Sequence, residues 1–463
     1  MADVTVISST IVQPCNTDHS GRVKIHLTPS DLNLLHLSSP QRGLLFPKPD
    51  PETRFISRLK SSLSTALEIY FPFAGRLVKV ENLEDKTVSF FIDCDDSSGA
   101  RFVHAESKSL SVSDLLQPHG SIINSRRFND SVFMSRFFPA NDLKNIDGLS
   151  EPLLALQVTE MKDCVFISFG YNHMVADGAS IWSFFNTWSK ICSNDSDHQK
   201  KNLDPLVLRG WFLDGIDFPF HIPASETEMP PPSLEISPVV VPTTKVRVFH
   251  FTKRNISDLK AKANGENGSS DVTISSLQAL SAHLWRSIMR HSGMSREEET
   301  HCKLAMDMRQ RLNPPLHKEC FGNVIHLGIA TVTVGELLDH GLGWAALQIN
   351  KMVRSQTDEK YKSFAENCVR NGYKIPKFVG SRMVISDSVI VASSPWFQVY
   401  DNDFGWGKPI AAHAGPVTSI NGRLTLFRGI EDGSIDVHGT LWSDQLVDLL
   451  LADVEFLEYV TIT

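Results

Sequence analysis

Residues 163–191 read DCVFISFGYNHMVADGASIWSFFNTWSKI, and the fold class turns on how this run divides. Through Tyr171 it is β-branched and aromatic, which reads as a strand. From Ile181 onward the residues Ile181, Trp182, Phe184, Phe185, Trp188 and Ile191 recur at the i, i+3, i+4, i+7 spacing of one helical face. His173 and Asp177 therefore stand in the turn that joins a strand to a helix with a buried face. Gly178 and Ala179 add almost no bulk beside them, so another group can approach the imidazole closely.

Outward from this turn the same alternation continues. Ile56, Leu59, Leu63, Ala66, Leu67 and Tyr70 predict one amphipathic helix, stopped by Pro72 and Gly75. VKVEN, TVSFFID and LLALQVTEM read as strands. In the second half Ile274, Leu277, Leu280, Leu284, Trp285 and Ile288 repeat the helical pattern after a Ser/Thr-rich start, while VRVFHFT, HCKLAMDM, NVIHLGIATVTV and DSVIVASS read as strands. Helices and strands alternate irregularly, which predicts an α/β class with mixed sheets. Residues 220–245, FHIPASETEMPPPSLEISPVVVPTTK, are proline-rich and should be extended and exposed. They divide the chain into an N-terminal domain, 1–219, and a C-terminal domain, 246–463, joined by a crossover.

Composition narrows the partners. The 53 acidic and 45 basic residues leave a formal charge of -8, which argues against a nucleic-acid surface and against polybasic membrane attachment. An anionic ligand needs a local basic site. Cysteines 15, 94, 164, 192, 302, 320 and 368 contain no C-x-x-C pair, so neither a zinc ribbon nor a disulfide framework is expected, and a reducing compartment fits. The first residues carry no basic segment followed by an apolar run, and no window approaches the ~18 apolar residues of a spanning helix. A cytosolic location is the expectation.

A histidine near neutral pKa can take a proton from a hydroxyl or amine as it attacks a carbonyl. Asp177 can pair with a cation or cap the following helix. H-x-x-x-D alone describes a capped helix equally well. No H-E-x-x-H and no nearby Cys/His cluster supplies a third metal ligand, so no metal is expected. With no G-x-S-x-G elbow, phosphate loop or dinucleotide signature, the nucleophile must come from the substrate. A second stretch, YDNDFGWGKP at 400–409, brackets a tryptophan with two glycines. It can be an aromatic-anchored loop, or its indole N–H can support an oxyanion.

HMVADG and DFGWG, some 225 residues apart, together resemble the plant BAHD acyltransferases, which use coenzyme A thioesters. LKSSLSTALEIYFPFAGRL at 59–77, SSLQALSAHLWRS at 275–287 and DMRQRLNPPLHKECFGNVI at 307–325 are similar to that family as well. The resemblance implies a monomer of two similar-sized α/β domains with mixed sheets around a through-going solvent channel. No cofactor is held, and the substrates are an acyl-CoA donor and a small alcohol, phenol or amine. By analogy His173 is the general base, and Asp403 of DFGWG is its companion functional residue, with a role in shaping the channel. Trp406 and Ser39 support the oxyanion or thioester. Asp177 forms a structural ion pair with Arg309, or less readily Arg311, and Lys253, Arg254, Ser275 and Ser276 lie near CoA contacts.

One departure bears on the acceptor. In the shikimate and quinate hydroxycinnamoyltransferases of the family an arginine shortly before DFGWG grips the acceptor carboxylate, and Trp396 stands at the corresponding position. A bidentate clamp is absent there, so the acceptor pocket at Trp396 favours a less polar alcohol, a phenol or an amine. The family's YFGN is CFGN here, at Cys320. Diversion to a lyase-type reaction and a non-catalytic ligand-binding role on the same fold are the alternatives; the intact His173 counts against the first, and the intact His173, Asp403 and Trp406 count against the second.

Overall fold

The computed structural model describes residues 4–16, 23–95, 98–116, 131–193, 206–208, 219–227, 245–267, 271–371, 387–392, 394–416, 422–441 and 444–462. In the first half the strands are β1 (Thr5–Val12), β2 (Lys24–His26), β3 (Gln41–Pro47), β4 (Arg76–Asn82), β5 (Thr87–Asp93), β6 (Ala100–Glu106), β7 (Leu154–Glu160), β8 (Cys164–Tyr171) and β9 (Ile222–Pro223). In the second half they are β10 (Lys245–Phe251), β11 (Glu299–Asp307), β12 (Ile325–Thr333), β13 (Ser388–Ala392), β14 (Ala411–Ala414), β15 (Arg423–Arg428), β16 (Ile435–Leu441) and β17 (Thr461–Ile462). One sheet has the order β1-β6-β7-β8-β3-β14, a second β12-β11-β13-β15-β16-β10-β17, and a smaller one β2-β5-β4 with β9 beside β5. Parallel β6–β7, β11–β13 and β13–β15 pairs sit among antiparallel ones, so the sheets are mixed.

Every residue of β8 is buried, as an unbroken apolar strand at the middle of a sheet must be. Two helices cover this sheet: α1 (Phe55–Ile69) buries Leu59, Leu63, Ala66 and Leu67, and α2 (Gly178–Ser193) buries Ile181, Trp182, Phe184, Phe185 and Trp188. The indole of Trp188 ties the two together by donating to Leu59 O and Ser62 Oγ, at 3.2 and 3.0 Å. The second sheet is covered by α3 (Lys253–Asn267), α4 (Ser276–Arg290) and α5 (Leu342–Arg354), around a separate core that includes Leu284, Trp285, Ile349 and Leu424.

The two halves of the sequence are interlocked. β14 leaves the second half to pair with β3, with Ala411 opposite Leu45 and Ala414 opposite Arg42. Val399, Phe404, Ala412 and Ala414 are buried in the first core. Of the proline-rich crossover, the described part makes the short β9, where Ile222 faces Val88, followed by a turn at Ala224–Glu226. Residues 228–244 lie outside the described residues. Among the described residues no helix is long and apolar enough to cross a membrane.

Candidate active site

β8 delivers Tyr171 and, through a tight turn, His173 to the edge of a cavity of about 550 Å³. The turn is held from below. Asn145 Oδ1 accepts from His173 N at 2.7 Å, and Asn172 Nδ2 donates to Asn145 O at 2.6 Å. The imidazole lies 5.6 Å from the Tyr171 ring, centroid to centroid. Its Nδ1 is shut off from solvent, which leaves Nε2 as the ring nitrogen open to the cavity. Burial lowers the His173 pKa from its ordinary value, and the positive charges of Arg423 and Arg42 push the same way, opposed in part by Asp177. The shift favours the neutral ring, which can accept a proton.

Asp177 faces elsewhere. Its Oδ1 accepts from Ser180 N at 3.0 Å, capping α2, and its Oδ2 accepts from Arg309 Nη1 at 2.7 Å and Val324 N at 3.0 Å. Arg309 and Asp177 are each 1% exposed. The guanidinium is satisfied on every side, donating to Cys320 O, Gly322 O, Ser180 Oγ and Asp307 Oδ1. Burial alone would raise the Asp177 pKa, but the Arg309 charge overrides it and holds the carboxyl below its usual range. Cys320 contributes its backbone carbonyl here, and its side chain is buried with Met308, Leu312, Leu316 and Val324. The close approach that Gly178 permits is made by Phe397: a Cβ at 178 would come within 2.9 Å of that ring.

DFGWG forms a knot on the other side of α2. Asp403 Oδ1 accepts from Gly405 N and Gly407 N at 2.7 and 3.1 Å, and both glycines have φ values, +97° and +121°, that side chains rarely adopt. Phe404 fills the gap between Phe46, Phe185 and Trp188. Trp406 packs on Phe55, and Arg58, 5.5 Å from the indole centroid, donates to Phe404 O. Asp403, Trp406 and Ser39 are not in the lining of the cavity. Ser39 is buried, with its N–H on Leu143 O at 2.8 Å.

The anticipated coenzyme A contacts separate. Ser275 lines the cavity and caps α4, accepting from Gln278 N at 3.3 Å. Ser276 is the first residue of α4. Lys253 and Arg254 lie outside the lining, paired at the surface with Asp432 and Asp258. Arg311, an exposed residue, does line the cavity and donates to Val353 O at 3.2 Å. Trp396, 75% exposed, stands at an opening. Sequence reasoning passed over Arg42, Arg423 and Tyr171, all buried in the lining. The signal was available, since QRGLLFP and RLTLF each place an arginine in an otherwise apolar strand.

The cavity lies at the junction of two mixed sheets, with a half-buried histidine at its edge and a carboxylate withdrawn onto an arginine, an arrangement that can serve acyl transfer to a nucleophile supplied by the substrate. The Transferase family matches residues 2–450. An uncharacterised acetyltransferase of Arabidopsis thaliana is 67% identical, with 99% of each chain covered. A BAHD acyltransferase of the same plant is 30% identical over 98% of this chain and 92% of its own. Among solved structures, one of an F. graminearum protein complexed with coenzyme A and T-2 mycotoxin superposes with a TM-score of 0.72 at 20% identity, covering 95% of this chain and 99% of that one. The chain belongs to the Transferase family, the BAHD acyltransferases, and is an acyltransferase of that family.

Proposed function

We propose that this protein transfers an acyl group from a coenzyme A thioester to the hydroxyl or amine of a small molecule, with His173 as general base. The observation that carries this reading is the neutral imidazole with one nitrogen open to the cavity, while Asp177 is fully committed to Arg309. His173 Nε2 takes the acceptor's proton as the acceptor oxygen or nitrogen bonds to the thioester carbonyl carbon. The tetrahedral intermediate collapses, the carbon–sulfur bond breaks, and the imidazolium returns the proton to the departing thiolate. Asp177 holds the turn and takes no proton. Asp403 and Trp406 set the packing of α1 and α2, whose turn carries the base.

Coenzyme A would enter past Ser275 and Arg311, two exposed residues of the lining, and the acceptor past Trp396. The donor to test first is acetyl-CoA, after the name of the 67% identical relative. Purified protein incubated with a panel of acyl-CoAs and alcohols, phenols and amines is expected to release free thiol only when donor and acceptor are both present. His173→Ala is expected to lower that rate by ~10²- to 10⁴-fold. Equal thiol release without acceptor would make the protein a thioester hydrolase, and no release above the variant with any pair would end the transferase reading.

A further inference from the structure

Besides Arg309, two buried arginines line the cavity. Arg42 comes from β3 of the first sheet and Arg423 opens β15 of the second, and they are 7% and 9% exposed. Buried guanidinium groups are ordinarily paired, because an unpaired charge removed from water costs several kcal/mol. Arg309 shows the usual solution in the same cavity wall. Arg42 and Arg423 do not follow it: among the described residues neither has a carboxylate within ion-pair distance. Arg42 donates to its neighbour's carbonyl, Gln41 O, at 2.7 Å, and lies 5.8 Å from the Phe427 ring. Arg423 Nε is buried with no partner.

Among the described residues of the cavity wall nothing supplies the missing charge. Asp177 and Asp307, the acids of the cavity wall, are both engaged by Arg309. Behind the arginines stand His413 and His438, their rings 5.1 Å apart and each Nδ1 buried without a partner. Burial and the Arg42 charge hold both rings neutral. Arg423 is close enough to matter to Arg42: burial and then the Arg423 charge bring the Arg42 pKa down to about 9. Two like charges from two different sheets, turned to one enclosed space, make a site that is electrostatically incomplete without an anion.

We propose that the substrate carries a carboxylate that seats between Arg42 and Arg423, so that the reacting group is positioned against His173. The phosphates of coenzyme A do not fit this role, since the pantetheine arm separates them from the thioester that must reach His173. The carboxylate belongs either to the acyl acceptor or to the free end of a dicarboxylic acyl-CoA. Trp396 offers no clamp to a carboxylate, and the arginine pair supplies one from β3 and β15. The inference rests on the acyl-transfer reading for what the carboxylate is positioned to do, and on the arginines alone for its binding.

Two measurements separate those dependences. Turnover is followed with aliphatic and aromatic hydroxy acids and amino acids, each beside its methyl ester, and with malonyl-CoA beside acetyl-CoA. Binding of the same pairs is followed by calorimetry, without turnover. An acceptor carboxylate predicts that an acid exceeds its ester in kcat/KM and in affinity, whereas a donor carboxylate predicts that malonyl-CoA exceeds acetyl-CoA. In either case Arg42→Gln and Arg423→Gln each shrink the preference by roughly 10- to 100-fold, the range for losing a hydrogen bond to a charged group. Both variants are expected to melt no lower than wild type, because each removes an uncompensated buried charge. Should either fail to fold, Arg423→Lys, which keeps the charge but loses the planar fork, is expected to retain part of the preference. Acid-to-ester and malonyl-to-acetyl ratios near one in binding, unchanged in the variants, overturn the proposal whether or not thiol is released. Clear carboxylate binding without thiol release under any pair leaves the arginine site standing and removes the transferase reading.

Discussion

In the proposed mechanism His173 acts as the free base, so the direction of its pKa shift fixes the sign of the pH response. Burial lowers that pKa below the ordinary 6.5, Arg423 and Arg42 lower it further, and Asp177 opposes them. The base is present above the folded pKa and lost as pH falls through it. The acid limb of kcat/KM is therefore expected below pH 6.5, where an exposed imidazole would already be half protonated. Removing a positive neighbour weakens the effect, so Arg423→Gln is expected to move the limb upward. A pH profile of thiol release checks both, and a wild-type limb above 6.5 would contradict the buried-base geometry. Tyr171, 5.6 Å from the imidazole, shares the cavity with the arginines, and its phenol is pushed up by burial, so it stays protonated across this window.

At the scale of elements, two tight polar turns do different jobs. The Asp177 turn fastens α2 to the segment 307–324 through the Asp177–Arg309 ion pair, the Val324 N–H on Asp177 Oδ2, and Ser180 Oγ, which accepts from Arg309 Nη2 and donates to Gly322 O. Asp177→Asn or Arg309→Met leaves a buried group without its partner, and each is expected to cost about 3–5 kcal/mol, read as a clear fall in melting temperature. Because the Asp177 pKa is depressed, its contribution is present above the ordinary carboxylate range and disappears as pH falls through the folded value. The Asp403 turn closes on itself. Asp403→Ala removes two charge-assisted acceptor contacts, at about 1.5–3 kcal/mol each at most, so a lower melting temperature is expected with the acid limb of kcat/KM unmoved. A displaced limb would place Asp403 in proton chemistry. This division was only partly legible in the sequence. The strand, the helix and the small residues at 178 and 179 could be read from periodicity, because α2 is buried along one face and β8 on both. Which arginine meets Asp177 came from the resemblance alone, since 132 residues separate the partners. The sequence marks Arg42 and Arg423 as arginines in apolar strands, but nothing local shows that the two face one cavity.

For the whole molecule, the proline-rich run predicts two domains joined by a crossover, and the strand order shows that the two halves of the sequence also exchange elements. β14 and the DFGWG turn belong to the second half by sequence and to the first by packing. Sheet pairing is set by what covers a buried edge, which no local pattern announces. Without β14, the apolar β3, buried from Gln41 to Phe46, becomes an open edge. Without Phe404, a gap opens between Phe46, Phe185 and Trp188 of the size that large-to-small core substitutions leave, typically worth about 3–5 kcal/mol. The Asp177–Arg309 pair crosses the same division, so residues 1–219 alone would also bury an unpaired carboxylate. Residues 1–219 expressed alone are therefore expected to aggregate or to melt without cooperativity. Co-expression with residues 220–463 as a separate chain is expected to restore a soluble complex that melts as one unit. A fragment 1–219 that melts cooperatively by itself would show that the exchanged strand and turn are dispensable to the first core.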